Sequence, residues 1–157
     1  MRVLYGVAVA VFGYSLGANF AGLGRLQSDK LSADSLKKMA EGLGYDIKVL
    51  SSDAGKEKYE ISLKTDNLNI PVALEISAST NYIWLTVNLG PNSAKKKHEE
   101  LLKSNFNIQP CFFYITTKGT LMCATAMDNR GVAPAILKRC LEKISSDVDK
   151  TSKIWQD

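Results

Sequence analysis

The stretch Tyr82-Ile83-Trp84-Leu85-Thr86-Val87-Asn88-Leu89-Gly90-Pro91 places a large aliphatic side chain at every second position. Ile83, Leu85, Val87 and Leu89 fall on one face of an extended chain, and Tyr82, Trp84, Thr86 and Asn88 fall on the other. The run is a strand, closed by Gly90-Pro91. Its first parity is core-like. Its second carries two large aromatics among polar residues, and that much aromatic area calls for cover by a helix, a second copy or a partner.

Upstream, three more runs alternate in the same way. Tyr45, Ile47 and Val49 alternate with Asp46 and Lys48, and after a turn containing Ser51, Ser52, Asp53 and Gly55, Tyr59, Ile61 and Leu63 alternate with Glu60, Ser62 and Lys64. Asp66-Asn67 then turns the chain into Ile70, Val72, Leu74 and Ile76. Pro71 has no backbone donor, which predicts an edge or a bulge at the start of that strand. Ahead of these strands Leu36, Met39, Ala40 and Leu43 recur at helical spacing, with Asp34 near the start and Gly44 at the stop.

Downstream, a helix is predicted over about residues 93–105, with Asn92 or Ser93 as N-cap and Ala94, His98, Leu101 and Leu102 on one side. Lys95, Lys96 and Lys97 then stand in its first turn, against the preference of the helix dipole, with Glu99 and Glu100 following them. Residues 111–117 and 120–127 flank Lys118-Gly119 and predict a hairpin with a two-residue loop. With Thr117 opposite Thr120, Tyr114 opposes Cys123 and Cys111 opposes Ala126. That register puts Phe112, Tyr114, Cys123 and Thr125 on one face, Phe113, Ile115, Met122 and Ala124 on the other, and separates Cys111 from Cys123. Both faces being apolar, the hairpin is expected to be central or covered on both sides. Asp128-Asn129-Arg130-Gly131 forms a turn, and Pro134 opens a last helix with the stripe Leu137, Cys140, Leu141, Ile144 and Val148. Ile154-Trp155 is apolar enough to dock back. The fold expected is α+β, an antiparallel sheet of about six strands in the order α-β-β-β-β-α-β-β-α with helices packed on it.

The chain has 157 residues, 45% hydrophobic and 23% charged, which suits about one domain. A net charge of +4 is too small to argue for nucleic acid. One His and three Cys, without C-x-x-C spacing, argue against a metal centre or a nucleophile and base pair, and no cofactor is expected. Residues 3–24 carry no charge and follow a single Arg2. Their apolar heart, residues 3–12, fits the h-region of a signal peptide, with Gly17, Ala18 and Ala21 as small residues for cleavage. An uncleaved membrane anchor is the main rival, although Gly6, Gly13, Ser15, Gly17 and Asn19 dilute the run; a soluble N-terminal helix is the third reading. The organisation expected is residues 1–24 as signal peptide or anchor, 25–33 as connector and 34–157 as one domain. Export to the periplasm or cell envelope follows, with the cytoplasm as the alternative.

Four stretches carry a family resemblance: Trp84-Leu85-Thr86-Val87-Asn88-Leu89-Gly90, Gln109-Pro110-Cys111-Phe112-Phe113-Tyr114-Ile115, Met127-Asp128-Asn129-Arg130-Gly131-Val132-Ala133-Pro134, and Asp147-Val148-Asp149-Lys150-Thr151 on to Trp155. Together they resemble the bacterial YbjN-type family, whose domains are similar in fold to type III secretion chaperones. The resemblance covers roughly residues 36–155. It departs at Ala133, where the family commonly has a Thr or Ser as helix N-cap. It implies a small, often dimeric, protein-binding, chaperone-like or regulatory module, with no catalytic residue to carry over. Export fits poorly with the specific work of a cytoplasmic secretion chaperone.

Tyr82 and Trp84 are the candidate interaction surface, shared between a binding platform and an interface with a second copy. Lys95, Lys96 and Lys97 are a second candidate, for an acidic partner, phosphate or lipid headgroups, against the plainer alternative of a solvated helix face. His98 reads as a helix-face histidine, and Asp128, Asn129 and Arg130 as turn residues before they read as ligands. The function expected is non-enzymatic protein binding, with a homodimer or another protein as partner, and a membrane only if the N-terminal segment is retained as an anchor. The alternative is a small envelope enzyme or ligand-binding protein with a scattered polar site, for which converging carboxylates such as Glu60, Asp66 and Glu75 would speak.

Overall fold

A computed structural model describes residues 29–156, so the expected export segment lies outside the described residues. Helix α1 (Ala33–Gly42) is followed by four strands, β1 (Lys48–Ser51), β2 (Lys58–Lys64), β3 (Asn69–Ile76) and β4 (Tyr82–Pro91). Helix α2 (His98–Asn107), strands β5 (Phe112–Ile115) and β6 (Thr120–Asp128), the long helix α3 (Pro134–Lys150) and the short α4 (Ser152–Trp155) complete the chain. The strands form one six-stranded antiparallel sheet, as expected, and their order in space, which the sequence pattern left open, is β1-β2-β3-β4-β6-β5. Pro71 lies opposite Ser62 in the half of β3 that β4 does not pair, so its missing N–H interrupts no ladder on that side.

The helices gather on one side of the sheet. Leu36 and Ala40 of α1, Leu101 of α2, and Leu137, Leu141, Ile144 and Val148 of α3 form a single core with Tyr59, Ile61, Leu74, Ile83, Leu85, Val87, Phe113, Leu121 and Cys123. Each aliphatic side chain buried there contributes about 1.5–3 kcal/mol. Ser32 caps α1, its hydroxyl accepting from Ser35 N at 3.2 Å. Ala133 gives α3 no side-chain cap, but Pro134 at the first turn has no N–H to leave unsatisfied.

Two expectations are corrected. Helix α2 begins at His98, not near Ser93, so Lys95, Lys96 and Lys97 precede it or form its N-cap, and Glu99 and Glu100 occupy its first turn. The dipole explains the shift: a start at Ser93 would set three cations against the positive helix end, whereas a start at His98 sets two carboxylates there. The second correction concerns the β5–β6 hairpin. Its loop is Thr117-Lys118-Gly119, three residues long, with Thr116 N donating to Thr120 O at 2.9 Å and Gly119 at φ 74. Tyr114 therefore opposes Met122 and Phe113 opposes Cys123. A one-residue slip exchanges every cross-strand partner. Phe112 and Tyr114 share a face with Met122 and Ala124, while Cys111, Phe113, Cys123 and Thr125 turn to the helices. Cys111 and Cys123 thus lie on the same face, contrary to the separation expected, and both are free thiols. The hairpin as a whole is not central either, since β5 is an edge strand.

Candidate functional site

With every helix of the described residues on one side, no described element covers the opposite side of the sheet at its β4-β6-β5 end. Three rows of paired residues cross it: Glu75, Trp84 and Ala126; then Ala73, Thr86, Ala124 and Phe112; then Asn88, Met122 and Tyr114. Small residues form the floor. Thr86 and Ala124 are buried on the side away from the described helices, between the rings of Trp84 and Phe112. The Trp84 and Phe112 centroids are 6.3 Å apart at an interplanar angle of 79°, an edge-to-face pair, and Phe112 and Tyr114 are 5.8 Å apart at 41°. Glu75, Trp84, Thr86, Phe112 and Tyr114 line a shallow cleft of about 290 Å³. Tyr82 extends the row to the end of the sheet, opposite Asp128, and is 48% exposed.

The charges bounding this face pair with one another. Lys58 meets Glu75 at 3.0 Å and Lys48 meets Glu60 at 3.1 Å across adjacent strands. At the other end Asp128 accepts from Arg130 through both carboxylate oxygens, which holds its carboxyl well below the usual range, at about 2. Burial, and to a lesser degree Glu75, pushes the Tyr114 hydroxyl pKa upward. The surface left is aromatic, uncharged at its centre and suited to apolar groups.

Of the residues singled out from sequence, Tyr82 and Trp84 lie on this face; Lys95, Lys96 and Lys97 do not join them. Lys96 is buried and donates from Nζ to Trp155 O at 2.6 Å, tying the loop before α2 to α4, while Lys95 and Lys97 are exposed. Phe112, Tyr114 and Met122 complete the face and were missed, because the two-residue loop assigned Tyr114 to the face of Cys123. The φ-positive Gly119 at the end of a three-residue loop was the available signal.

The remaining candidates are engaged structurally. Asn129 is fully buried; its Oδ1 accepts from Leu31 N at 3.2 Å and its Nδ2 donates to Leu31 O and Thr80 O at 3.0 Å each. His98 Nε2 lies 2.6 Å from Asn92 Oδ1. Glu60 and Glu75 are ion-paired, and Asp66 sits in the β2–β3 turn at the far end of β2 from the residue that opposes Glu75, so these three carboxylates do not converge. Burial, followed by Asp147, pushes the Cys111 thiol up to about 12, and burial pushes Cys123 up as well, so neither is primed as a nucleophile. Among the described residues no group of three His, Cys, Asp or Glu is placed to hold a metal, and no helix is long and apolar enough to cross a membrane.

The edge strand β5 is blunted. Asn105 of α2 accepts from Phe113 N at 2.7 Å through Oδ1 and donates from Nδ2 to Phe113 O at 3.3 Å, filling the place of a neighbouring strand. Beside it lies a second apolar patch, where Leu102 is 70%, Phe106 81% and Ile115 46% exposed.

No protein-family model and no curated protein matches the chain. Solved structures do. The fold is similar to that in a structure of the HopA1–SchA chaperone–effector complex, with a TM-score of 0.51 and 13% identity over 78% of this chain and 91% of that one. It is also similar to that in the complex of the Yersinia pestis type III secretion chaperone SycH with a stable fragment of YscM2, with a TM-score of 0.50 and 15% identity over 78% of this chain and 99% of that one. The chain therefore has a type III secretion chaperone-like α+β fold.

Proposed function

We propose that this protein is a non-enzymatic, chaperone-like protein-binding module of the YbjN type, which takes an extended, largely uncharged partner segment on the open face of its sheet. The observation that carries the proposal is the row Tyr82, Trp84, Phe112 and Tyr114 on a sheet face that no helix of the described residues covers. Similarity to chaperones that were solved with an effector or a partner fragment supports it. The neutral centre, bounded by ion pairs already closed within the chain, favours apolar over charged partners. Peptides selected by display on the processed protein test the proposal: Trp84→Ser should weaken the best of them at least tenfold and His98→Ala should leave it unchanged. Equal binding to all three proteins would refute it.

The compartment proposed is the cell envelope, after export directed by the uncharged residues 3–24. Fractionation of a tagged chain checks this, and an unprocessed chain confined to the soluble cytoplasm would contradict it.

A second reading concerns self-association. Leu102, Phe106 and Ile115 are too exposed for an isolated apolar cluster, and we propose that a second copy covers them in a homodimer. Light scattering should then report a dimer that Phe106→Ser dissociates.

A further inference from the structure

We propose that the first occupant of the open sheet face is the chain's own N-terminal apolar segment, residues 3–12, and that an outside partner gains the face only once that segment has been removed or drawn into a membrane. The inference rests on the reading of this face as a docking surface and adds its regulation.

Three observations carry it. The first is where the described chain begins. Lys30 is bridged to Arg130, and its Nζ donates to Thr80 Oγ1 at 3.0 Å and to Asn81 Oδ1 at 2.7 Å, while the buried Asn129 grips Leu31 on both its N–H and its carbonyl. The chain is thus pinned beside Tyr82, at one end of the aromatic row. The second is reach. Residues 13–28 connect the apolar heart to Asp29, and 16 residues can span up to about 50 Å. From Tyr82 to Asn88 the row runs only about 20 Å. The third is chemistry. The face is aromatic and neutral at its centre, and residues 3–24 carry no charge, so neither surface brings an unpaired ion to the contact. The other terminus is already committed: Trp155 donates from Nε1 to Val148 O at 2.8 Å on the helical side.

The test uses the full-length chain. A photoreactive residue in place of Trp84 should crosslink to residues 3–12, and a mixture of isotopically heavy and light chains should give no mixed products. In parallel, Val7→Asp together with Val11→Asp should raise the fluorescence of the apolar dye anilinonaphthalene sulfonate at least threefold, and adding Trp84→Ser should cancel most of the rise. Mixed heavy–light crosslinks would overturn the proposal by making a second copy the occupant. Unchanged dye binding in the double Asp variant, with Trp84-dependent peptide binding intact and equal in both chains, would overturn self-cover while leaving the docking face standing. Loss of Trp84-dependent binding of both dye and peptide in the double Asp variant would overturn the docking face itself, and self-cover with it.

Discussion

Phe112 and Phe113 are adjacent, chemically identical and on the same edge strand, yet they live on different sides of the molecule. Phe113 is 5% exposed beneath the helices, whereas Phe112 is half-buried among Trp84 and Tyr114 on the open face. The same division runs through β4, where Ile83, Leu85 and Val87 are closed in and Tyr82 and Trp84 are not. Residue type alone does not decide which apolar face becomes core. What decides it is the side to which the connections return their helices, and here α1, α2 and α3 all contribute to one side. The other side keeps its aromatic area uncovered by any described helix.

The contrast can be broken most severely in the core. Leu85→Ala should cost about 2–5 kcal/mol in urea unfolding, as a large-to-small change at a fully buried site. Trp84→Ser, one residue away, should cost less, about 1–2 kcal/mol, because its ring is only partly buried. Near-equal losses would mean that the aromatic face is a second core. Second only to the core change, Asn129→Ala leaves Leu31 N, Leu31 O and Thr80 O without their partner and should cost about 2–4 kcal/mol, with amide exchange accelerated at Leu31.

Asn105→Ala sharpens the comparison at the sheet edge. It should cost about 1–2 kcal/mol and expose Phe113 N and O to a neighbouring strand, so concentration-dependent assembly should rise in sedimentation experiments. The thiols act on stability only at alkaline pH. With the folded pKa of Cys111 raised from 9.0 to about 12, the unfolded chain releases its proton first as pH rises. Stability is therefore retained below pH 9 and lost progressively between pH 9 and 12, which alkaline denaturation would show. At pH 8 the partly exposed Cys140 should be alkylated before the buried Cys111 and Cys123.

Local pattern carried most of the fold. The alternation of β2, β3 and β4 and the helical stripes of α1 and α3 are set within a few residues, so they can be read without knowing what they pack against. Tyr82 and Trp84 stood out for the same reason. Phe112 and Tyr114 did not, since their side of the sheet depends on whether the loop holds two residues or three, a difference settled by the conformation of Gly119. The lysine run was misplaced because capping residues at Asn92 and Ser93 looked adequate, whereas Asn92 bonds the His98 ring and Lys96 reaches Trp155 from 59 residues away. Asn105 and Asn129 act through contacts that no local pattern encodes: a whole loop is clasped by one amide, and a sheet edge is closed by the other.

Hydroxyl-radical footprinting of a chain lacking residues 1–24, read at Phe112 against Phe113, tests the central distinction most directly. An open binding face predicts that Phe112, Tyr114 and Trp84 oxidise at least several times faster than Phe113 in the free protein, and that a selected peptide slows the first three and leaves Phe113 unchanged. Oxidation of Phe112 as slow as that of Phe113 without any ligand, or no protection of Phe112 on peptide binding, would contradict it.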